Sequence, residues 1–524
     1  MKGEIKYLKG LGSSNDKEVK SSFGKKMIEF VKDEKTDDMM DKCFLSKCSD
    51  RRKDWIAGYD PIKNNLKLGK QATEKVSISE YLDKELIIFS VDDCRRSIAS
   101  ICDGLKESQR KLLYATFLKN LSYNGKSMKV AQLGSFCAEK TSYHHGETSI
   151  FETIIRMAQD FIGSNNIPFL FRDGQFGSLS MLGEDAASPR YIHTRLDRYT
   201  RLLFCKEDDA LLHYLEDDGE MIEPQEYVPI LPTVLINGTL GIGSGWSSNI
   251  PLYNPKELVG CVRTWLDQKC YSEPTPPVFP ELHPWYRGFH GTIEKLDKHR
   301  YLTKGVMTRA KNTVTVSVIP INMSIDSFKT SLDELVETKK IKSYKNFSTD
   351  NIPKFEIKEN EELTLETLKL TSTISTSNMV LFDTNQKLKK YETVHDIINE
   401  FCHFRYGFYI KRKVYLIKVI EKELMIIKNK FRFLTEVMDE TLKIQDVDER
   451  DIITTLKKTG YVVVDEDNEF KYLLQLPIRS FTKQKLDEFK KTIHKLETEL
   501  KLIKSISEEQ MWRNDLDAFE KEYL

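Results

Sequence analysis

An arginine and a tyrosine stand side by side at Arg190 and Tyr191, directly after Pro189, in the stretch EDAASPRYIHT. A phenol is a weak nucleophile at neutral pH because its pKa is about 10. A neighbouring guanidinium would stabilise both the phenolate and the charge of an anionic phosphoryl transition state. The same pair also fits an ordinary helix start that carries a half-buried structural tyrosine. The two residues alone leave both interpretations open.

A basic cluster lies in the stretch DGLKESQRKLLYATF. Lys106 and Arg110 are four residues apart and would share one face of a helix, with Lys111 beside them. The opposite face is apolar and includes Leu112 and Leu113. A helix that lies on a phosphate backbone needs such a basic face, although a basic face over an apolar one is usually just solvated.

Two adjacent histidines, His144 and His145, occupy the glycine-containing stretch TSYHHGE. They could bind a metal, but neighbouring side chains point in different directions and no third ligand stands at helical spacing. A hydrogen bond to phosphate is the better functional interpretation. A structural role for either histidine is equally open.

The stretch INGTLGIGSGWS places Ile242 among alternating glycines at Gly241, Gly243 and Gly245. The spacing is not that of a dinucleotide-binding loop, and no acidic residue about twenty positions on completes that motif. An apolar side chain on an exposed tip can wedge between base steps and bend a duplex. A tight turn with a buried isoleucine is the alternative.

Composition sets the limits for these sites. With 524 residues the chain exceeds one typical domain, and its 80 Lys and Arg balance its 80 Asp and Glu. A neutral total excludes a simple polycation but leaves room for a local basic channel. The sequence contains no apolar run long enough for a membrane span and no signal-peptide core at its start. Nine scattered cysteines without a zinc pattern favour a reduced intracellular protein.

The elements that would position the sites follow from apolar spacing and from glycine and proline. Residues 14–56 are charged with a helical pattern, and residues 57–77 are polar and predict a loop. Short apolar runs alternate with glycine turns from about residue 78 to 250, which is typical of an α+β domain. A proline-rich hinge at residues 271–288 precedes alternating runs such as TVTVSVIPI and NMVLFDT, which predict strands.

The C-terminal part, from about residue 393, is helical in pattern. Its apolar residues are spaced three and four apart, with charged residues between them: Leu486, Phe489, Ile493, Leu496, Leu500 and Ile503. This is the seam of a coiled coil. Because residues 414–438 are also apolar on one side, we expect two long helices to pair as an antiparallel coiled coil.

Further segments occur in one order along the chain: YLKGLGSS, KELIIFSVDDCRRSIASICDGLKESQRK, KVAQLGSFCAEKTSYHHGE, AQDFIGSNNIPF, DGQFGS, TISTSNMVLFD and YLLQLPIRSFTKQK. Together with EDAASPRYIHT and YVPILPTVLINGTLGIGSGWS, they resemble the DNA breakage-reunion core of eukaryotic-type DNA topoisomerase II. The resemblance implies an α+β multidomain fold. Its expected parts are the C-terminal part of a Toprim domain at 1–56, a linker at 57–79, a winged-helix DNA-cleavage domain at 80–250, a β-rich tower domain at 251–392, and an antiparallel coiled coil with the exit-gate dimerisation region at 393–524.

The resemblance also implies functions for the residues above. Tyr191 would attack a backbone phosphate to form a 5′-phosphotyrosyl link, Arg190 would stabilise the transition state, and Ile242 would wedge the bent duplex. The remaining expected DNA contacts are Arg52, Lys53, Lys106, Gln109, Arg110, Lys111, His144, His145, Lys369, Ser372, Thr373, Thr376, Ser377 and Asn378. The implied enzyme is a homodimeric, ATP-dependent isomerase that passes one duplex through another.

Some features of the family pattern differ here. Glu107 and Ser108 stand where the family has proline and glycine, and we expect no low-complexity C-terminal tail. The family's acidic metal ligands and its ATPase lie upstream of the KGLG motif. We therefore expect Mg²⁺ and ATP to be bound by upstream domains, no metal ligand in this chain, and an ATPase and Toprim portion in a longer chain or a separate subunit.

The expected location is the nucleus, or the host cytoplasm or virion for a viral protein. The main alternative is a non-catalytic DNA-bending or scaffold protein with the same fold, which the intact Arg190–Tyr191 pair argues against. A plain coiled-coil protein would leave residues 80–250 unexplained.

Overall fold

The computed structural model describes residues 16–23, 27–67, 73–143, 145–217, 219–272, 277–464 and 470–523. His144 and the predicted YLKGLGSS motif lie outside these residues. The N-terminal region contains α1 (Asp16–Ser22), β1 (Met27–Val31), α2 (Thr36–Phe44), α3 (Ser49–Ala57) and β2 (Thr73–Ser77). β1 and β2 pair in parallel, with Met27 opposite Thr73. The loop predicted for residues 57–77 therefore ends in a strand, because β2 supplies hydrogen-bonding partners to β1.

A nearly continuous helix leads into the next region. It consists of α4 (Ile78–Tyr81), a π-helical turn (Leu82–Leu86) and α5 (Ile87–Ser97). Ser77 caps its start by accepting a hydrogen bond from the backbone N–H of Glu80. Such caps satisfy the N–H groups that have no partner within a helix.

The central region combines helices with small antiparallel sheets, which confirms the α+β prediction. Its elements in chain order are α6 (Glu107–Leu118), β3 (Met128–Lys129), α7 (Val130–Lys140), α8 (Glu147–Ala158), β4 (Leu170–Asp173), β5 (His193–Leu196), α9 (Thr200–Leu203), β6 (Tyr214–Asp217), β7 (Glu220–Pro224), α10 (Thr233–Asn237), β8 (Thr239–Ile242), β9 (Ser247–Ile250) and α11 (Pro255–Asp267). The sheet order is β3-β5-β4, with Leu170 opposite Leu196. One large apolar core joins α6, α7, α8, α11 and the sheet.

A strand-rich region follows and has a core of its own. It contains β10 (Thr292–Lys295), β11 (Arg300–Lys304), β12 (Val306–Ala310), β13 (Thr313–Val318), α12 (Ile325–Glu337), β14 (Ile341–Asn346), β15 (Phe355–Glu359), β16 (Thr371–Ser375), β17 (Met379–Phe382) and β18 (Leu388–Tyr391). The sheets run β10-β11-β16, β12-β13-β15-β14 and β17-β18. The two runs predicted as strands from alternation form β13 and β17.

A long helical arm leaves the body and returns to it. Its helices are α13 (Val394–Met438), α14 (Glu449–Lys458), α15 (Lys471–Leu474), α16 (Lys483–Ser505) and α17 (Glu508–Tyr523). α13 and α16 are antiparallel, since Lys428 pairs with Glu497 while Lys504 pairs with Glu421. Leu496 and the partly buried Ile493 and Leu500 pack on Ile420 and Leu424 of α13, which confirms the coiled coil.

Four charged residues lie where the arm joins the body: Asp208, Arg405, Arg412 and Asp515. Arg405 and Arg412 of α13 are 0% and 3% exposed, and Asp208 is 3% exposed. Arg405 Nη1 lies 2.6 Å from Asp208 Oδ2, and Arg412 Nη1 lies 2.7 Å from Asp515 Oδ2. This buried cluster, named here the arm-base cluster, ties α13 and α17 to the central region.

Candidate functional site

Tyr191 lies in a turn between β4 and β5, and its side chain is 77% exposed. Arg190 is exposed beside it. Ile192, the next residue, is 2% exposed and anchors the turn in the core. A half-buried tyrosine at a helix start is therefore not what the structure shows. The phenol of Tyr191 is accessible to a large substrate, and the buried Ile192 fixes the backbone next to it.

The start of α7 holds this turn. The N–H of Val130 donates to the carbonyl of Ile192 over 3.0 Å, and the N–H of Ala131 donates to the carbonyl of Pro189 over 3.1 Å. The first N–H groups of a helix have no partner within it, so the turn satisfies two of them. The carbonyls that flank Tyr191 are thus fixed by backbone atoms. The partial positive charge of the helix start therefore lies beside the turn.

Ile242 ends β8 of a short hairpin, and its side chain is 79% exposed. β8 and β9 pair from Thr239 opposite Ile250 to Ile242 opposite Ser247. The N–H of Gly243 donates to the carbonyl of Trp246 over 2.8 Å and closes the turn. The structure therefore presents the isoleucine to solvent, and the alternative of a buried isoleucine does not hold.

Two predicted DNA contacts of α3 lie against this hairpin. Arg52 donates to the carbonyls of Lys42 and Leu45, and its methylene groups pack on Gly245. Lys53 lies with its ammonium 5.7 Å from the ring centroid of Trp246. The structure thus brings both residues to the turn of the hairpin that follows Ile242.

Lys106 also reaches the hairpin. Its Nζ donates to the carbonyl of Leu240 over 2.7 Å, and its backbone N–H donates to Oε1 of Gln109. Burial, and then the nearby charge of Arg156, lowers the pKa of the Lys106 ammonium. The start of α6 therefore supports the hairpin from a second side.

The predicted basic face of α6 is not open in the structure. Arg110 forms a two-pronged ion pair with the fully buried Asp103, at 2.6 Å and 3.0 Å. Lys111 is 7% exposed, and its Nζ lies 2.7 Å from Glu223. Each cation is neutralised by a carboxylate that helical spacing within α6 could not reveal. The prediction of a solvent-facing basic helix is corrected in this respect.

His145 is exposed, and its ring meets Tyr143 edge-on at 5.2 Å. It lines a cleft that Arg95, Arg96 and Lys111 also line. The cleft therefore carries basic groups, although Lys111 is already paired.

The predicted DNA contacts of the strand-rich region lie in β16 and in the residues on either side of it. Lys369 pairs with Glu334 at 3.1 Å, and Ser372 donates to the carbonyl of Ile321. Asn378 reaches the hairpin, where its Nδ2 donates to Ser247 Oγ over 2.8 Å. The remaining predicted residues differ in burial: Thr373 and Ser377 are exposed and Thr376 is buried. Of this group, Asn378 is thus the residue that joins the hairpin.

Within the described residues, no group of three or more His, Cys, Asp or Glu side chains could hold a metal ion. None of the described helices combines the length and apolarity needed to cross a bilayer.

Comparison with known proteins gives a consistent result along the chain. The family model for the A subunit of DNA gyrase/topoisomerase IV matches residues 96–517. The model of the C-terminal associated domain of TOPRIM matches residues 2–94. These ranges place the change between the two families near residue 95.

Similar individual proteins include two curated relatives. DNA topoisomerase 2 of Invertebrate iridescent virus 6 is 41% identical over 520 residues, covering 98% of this chain and 45% of the relative. DNA topoisomerase 2-alpha of Homo sapiens is 36% identical over 582 residues, covering 99% and 37%. The chain thus spans less than half the length of these relatives.

A solved structure is similar over nearly the whole chain. It is the DNA-binding, cleavage and re-ligation domain of Plasmodium falciparum topoisomerase II, with a TM-score of 0.86 and 35% identity. The match covers 99% of this chain and 74% of that one.

Proposed function

The chain belongs to the type II DNA topoisomerase family, and from this premise we propose that it cleaves and religates duplex DNA through Tyr191. The phenol oxygen of Tyr191 forms a bond to a backbone phosphorus while the bond from phosphorus to the 3′ oxygen breaks. The phenol loses its proton, and the leaving oxygen gains one and becomes a 3′-hydroxyl. Religation is the reverse step. One phosphate ester replaces another, so the strand can close without an external energy source.

The single observation that carries this function is the placement of Tyr191. Its phenol is 77% exposed on a turn whose flanking carbonyls are held by α7. A nucleophile for a duplex must be accessible, yet its position must be fixed to within a fraction of an ångström. Arg190, exposed on the same turn, supplies the charge that stabilises the phosphoryl transition state.

Ile242 bends the duplex by entering a base step. Its exposed side chain and the basic residues beside its hairpin, Arg52, Lys53 and Lys106, support this function. The cations contact phosphates and hold the duplex on the wedge. Asn378 extends this surface toward β16.

The other predicted contacts divide into two groups. His145, Lys369, Ser372, Thr373, Thr376 and Ser377 remain proposed contacts along the same surface. Arg110 and Lys111 would have to leave the carboxylates of Asp103 and Glu223 to meet DNA, and Gln109 caps α6. We therefore assign these last three to the support of the site.

Type II topoisomerases use Mg²⁺ and ATP in the full enzyme. Among the described residues, no group of three or more His, Cys, Asp or Glu side chains fits a metal ion. We propose that both cofactors bind to an ATPase and Toprim portion that completes the enzyme.

Two copies of the chain cut the two strands of one duplex. The arm supports a homodimer because its tip carries exposed apolar side chains, among them Ile478, which is 90% exposed. Relatives from eukaryotes and from a virus indicate a nuclear or viral setting. The nucleus is the proposed location, with the host cytoplasm or virion as the alternative for a viral protein.

The test is formation of a protein–DNA adduct that survives denaturant. The chain is assayed with duplex, Mg²⁺ and the ATPase and Toprim portion, which is fused upstream or supplied as a separate chain. Tyr191→Phe abolishes the adduct and leaves duplex affinity nearly unchanged, because a single hydroxyl is lost. Tyr415→Phe, at a partly exposed tyrosine of α13, is the matched control and retains the adduct. An adduct that persists in Tyr191→Phe would show that another residue is the nucleophile. A wild-type protein that bends DNA without any adduct would favour the non-catalytic alternative.

A further inference from the structure

The turn that follows Ile242 is held by one carboxylate. Oδ2 of Asp93, on α5, accepts hydrogen bonds from the N–H of Ser244 over 2.8 Å and from Ser244 Oγ over 2.9 Å. The thiol of Cys94 donates to the carbonyl of Ser244 over 3.3 Å. The backbone N–H, the hydroxyl and the carbonyl of Ser244 are thus all bound by two adjacent residues of α5.

The hairpin also lies directly on α5. A β-carbon added at Gly241 would lie 2.1 Å from the carbonyl oxygen of Ser97, and one at Gly243 would lie 3.2 Å from Cα of Cys94. A side chain at Gly241 could not fit without moving backbone atoms. The last two turns of α5 therefore form a seat for the hairpin, and the glycines allow the close approach.

Asp93 differs from its neighbour Asp92 in where its charge is used. Asp92 is exposed and pairs with Arg95 at 3.3 Å. Asp93 is half-buried, with Arg96 3.8 Å away, and directs Oδ2 to the hairpin. Hydrogen bonds to a carboxylate are roughly twice as strong as neutral ones. Asp93 is therefore the strongest polar tie between α5 and the turn.

We infer that Asp93 is a positioning residue for Ile242. This rests on the proposed wedging of DNA by Ile242. Opening a base step costs a few kcal/mol. A hairpin that is free to tilt would be displaced by the duplex before the base step opens. By binding Ser244, Asp93 keeps the hairpin in place, so that Ile242 opens the base step and is not itself displaced.

The experiment measures the bent population of a duplex by fluorescence energy transfer between dyes at its two ends. All variants carry Tyr191→Phe, so the DNA stays uncut. Asp93→Ala lowers the equilibrium constant for bending about tenfold, the factor that corresponds to about 1.4 kcal/mol. Asp93→Asn keeps one acceptor oxygen and causes a smaller loss, about threefold. Asp92→Ala, the matched control, bends DNA as the protein with Tyr191→Phe alone does.

A second substrate separates positioning from damage to the fold. A duplex with an unpaired bulge is already kinked and needs no wedge. On this duplex Asp93→Ala reaches the bend and affinity of the protein with Tyr191→Phe alone if Asp93 acts through Ile242. A loss of equal size on both duplexes would overturn the inference, since it would report impaired folding or binding.

Ile242→Ala distinguishes this inference from the function on which it rests. If Ile242→Ala lowers bending of the intact duplex while Asp93→Ala does not, Asp93 has no positioning role and the wedge stands. If Ile242→Ala leaves bending unchanged in a folded protein, the wedge itself is wrong and Asp93 has nothing to position.

Discussion

Charged residues serve opposite purposes at the Tyr191 turn and at the arm-base cluster. On the turn, Arg190 and Tyr191 are exposed, and the backbone around them is held by main-chain hydrogen bonds from α7. In the arm-base cluster, Arg405, Arg412 and Asp208 are at most 3% exposed, and both arginines bind Asp208. One set is free to meet a substrate, and the other is removed from solvent.

This difference separates function from stability. Removing one member of a buried ion pair leaves an uncompensated charge in a medium that cannot solvate it, which is costly. Removing an exposed side chain away from such features usually changes stability by less than about 0.5 kcal/mol. Substitutions at the turn should therefore change the chemistry alone, and substitutions in the cluster should change the stability of the arm.

The largest effect is expected for Asp208→Asn, which leaves Arg405 and Arg412 without their shared carboxylate. We expect a loss of about 3–5 kcal/mol in the free energy of unfolding. Denaturant unfolding followed by tryptophan fluorescence measures it, because the buried Trp512 stacks on Tyr409 of α13. Asp209→Asn is the control, since Asp209 pairs with the partly exposed Arg201 and should cost less than about 1 kcal/mol. Equal losses for both variants would contradict the special role of the cluster.

The ion pairs of Asp208 should also make the stability of the protein depend on pH. Burial alone would raise the pKa of the Asp208 carboxyl, but Arg405 and Arg412 hold it below its usual value of 3.8. A lowered pKa in the folded state contributes stability above the unfolded pKa, and this is lost as pH falls through the folded pKa. The stability difference between the unaltered protein and Asp208→Asn should therefore be full at pH 7 and shrink below about pH 3.8.

Arg190→Ala tests the other side of the comparison. Loss of one preorganised charge at a transition state typically slows the reaction about 10²–10³-fold. We expect adduct formation to slow by this factor, with the unfolding midpoint unchanged. Arg190→Lys keeps the charge but loses the planar guanidinium, so its rate should lie between those of the unaltered protein and Arg190→Ala. A loss of stability as large as the loss of rate would contradict the claim that Arg190 affects the chemistry alone.

Val130→Pro asks whether the backbone tether fixes the nucleophile. Proline is tolerated at the first position of a helix, and the backbone of Lys129, at φ −58° and ψ 137°, already suits a following proline. The substitution removes the N–H that binds the carbonyl of Ile192. A misplacement of about 1 Å can cost up to about 10²-fold in rate, so we expect a loss of about 10- to 10²-fold.

The control for this substitution is Val130→Ala. It loses more of the buried side chain but keeps the N–H. Single-turnover adduct formation should be slower in Val130→Pro than in Val130→Ala, although the alanine variant is also destabilised by its cavity. The reverse order would show that packing, and not the tether, positions Tyr191.

Much of the fold could be predicted from the sequence because its signals are local. The spacing from Leu486 to Ile503 predicts the coiled coil, and α13 and α16 form it. Alternation predicts β13 and β17. Long motifs in one order predict the family, and the family model and the relatives confirm it. The exposure of Ile242 agrees with its position between glycines. The domain boundaries and the DNA contacts remain predictions.

The missed features depend on contacts between residues far apart in the chain. Arg110 and Lys111 suggest an open basic face until Asp103 and Glu223 are placed against them. Asp93 lies about 150 residues from Ser244, and no local pattern joins them. The turn of Tyr191 is held by backbone N–H groups of α7, which every residue except proline has, so the sequence does not reveal them. The close approach of Gly241 to Ser97 of α5 is likewise a contact between distant residues.

The most direct test of the central claim identifies the residue that carries the DNA. The adduct is trapped with denaturant, the DNA is digested to a short remnant, and tryptic peptides are analysed by mass spectrometry. Tyr191 follows Arg190, so it lies in the peptide of residues 191–195. We predict a nucleotide on Tyr191, joined through its 5′ phosphate. A nucleotide on any other residue, or one joined through its 3′ phosphate, would contradict the account.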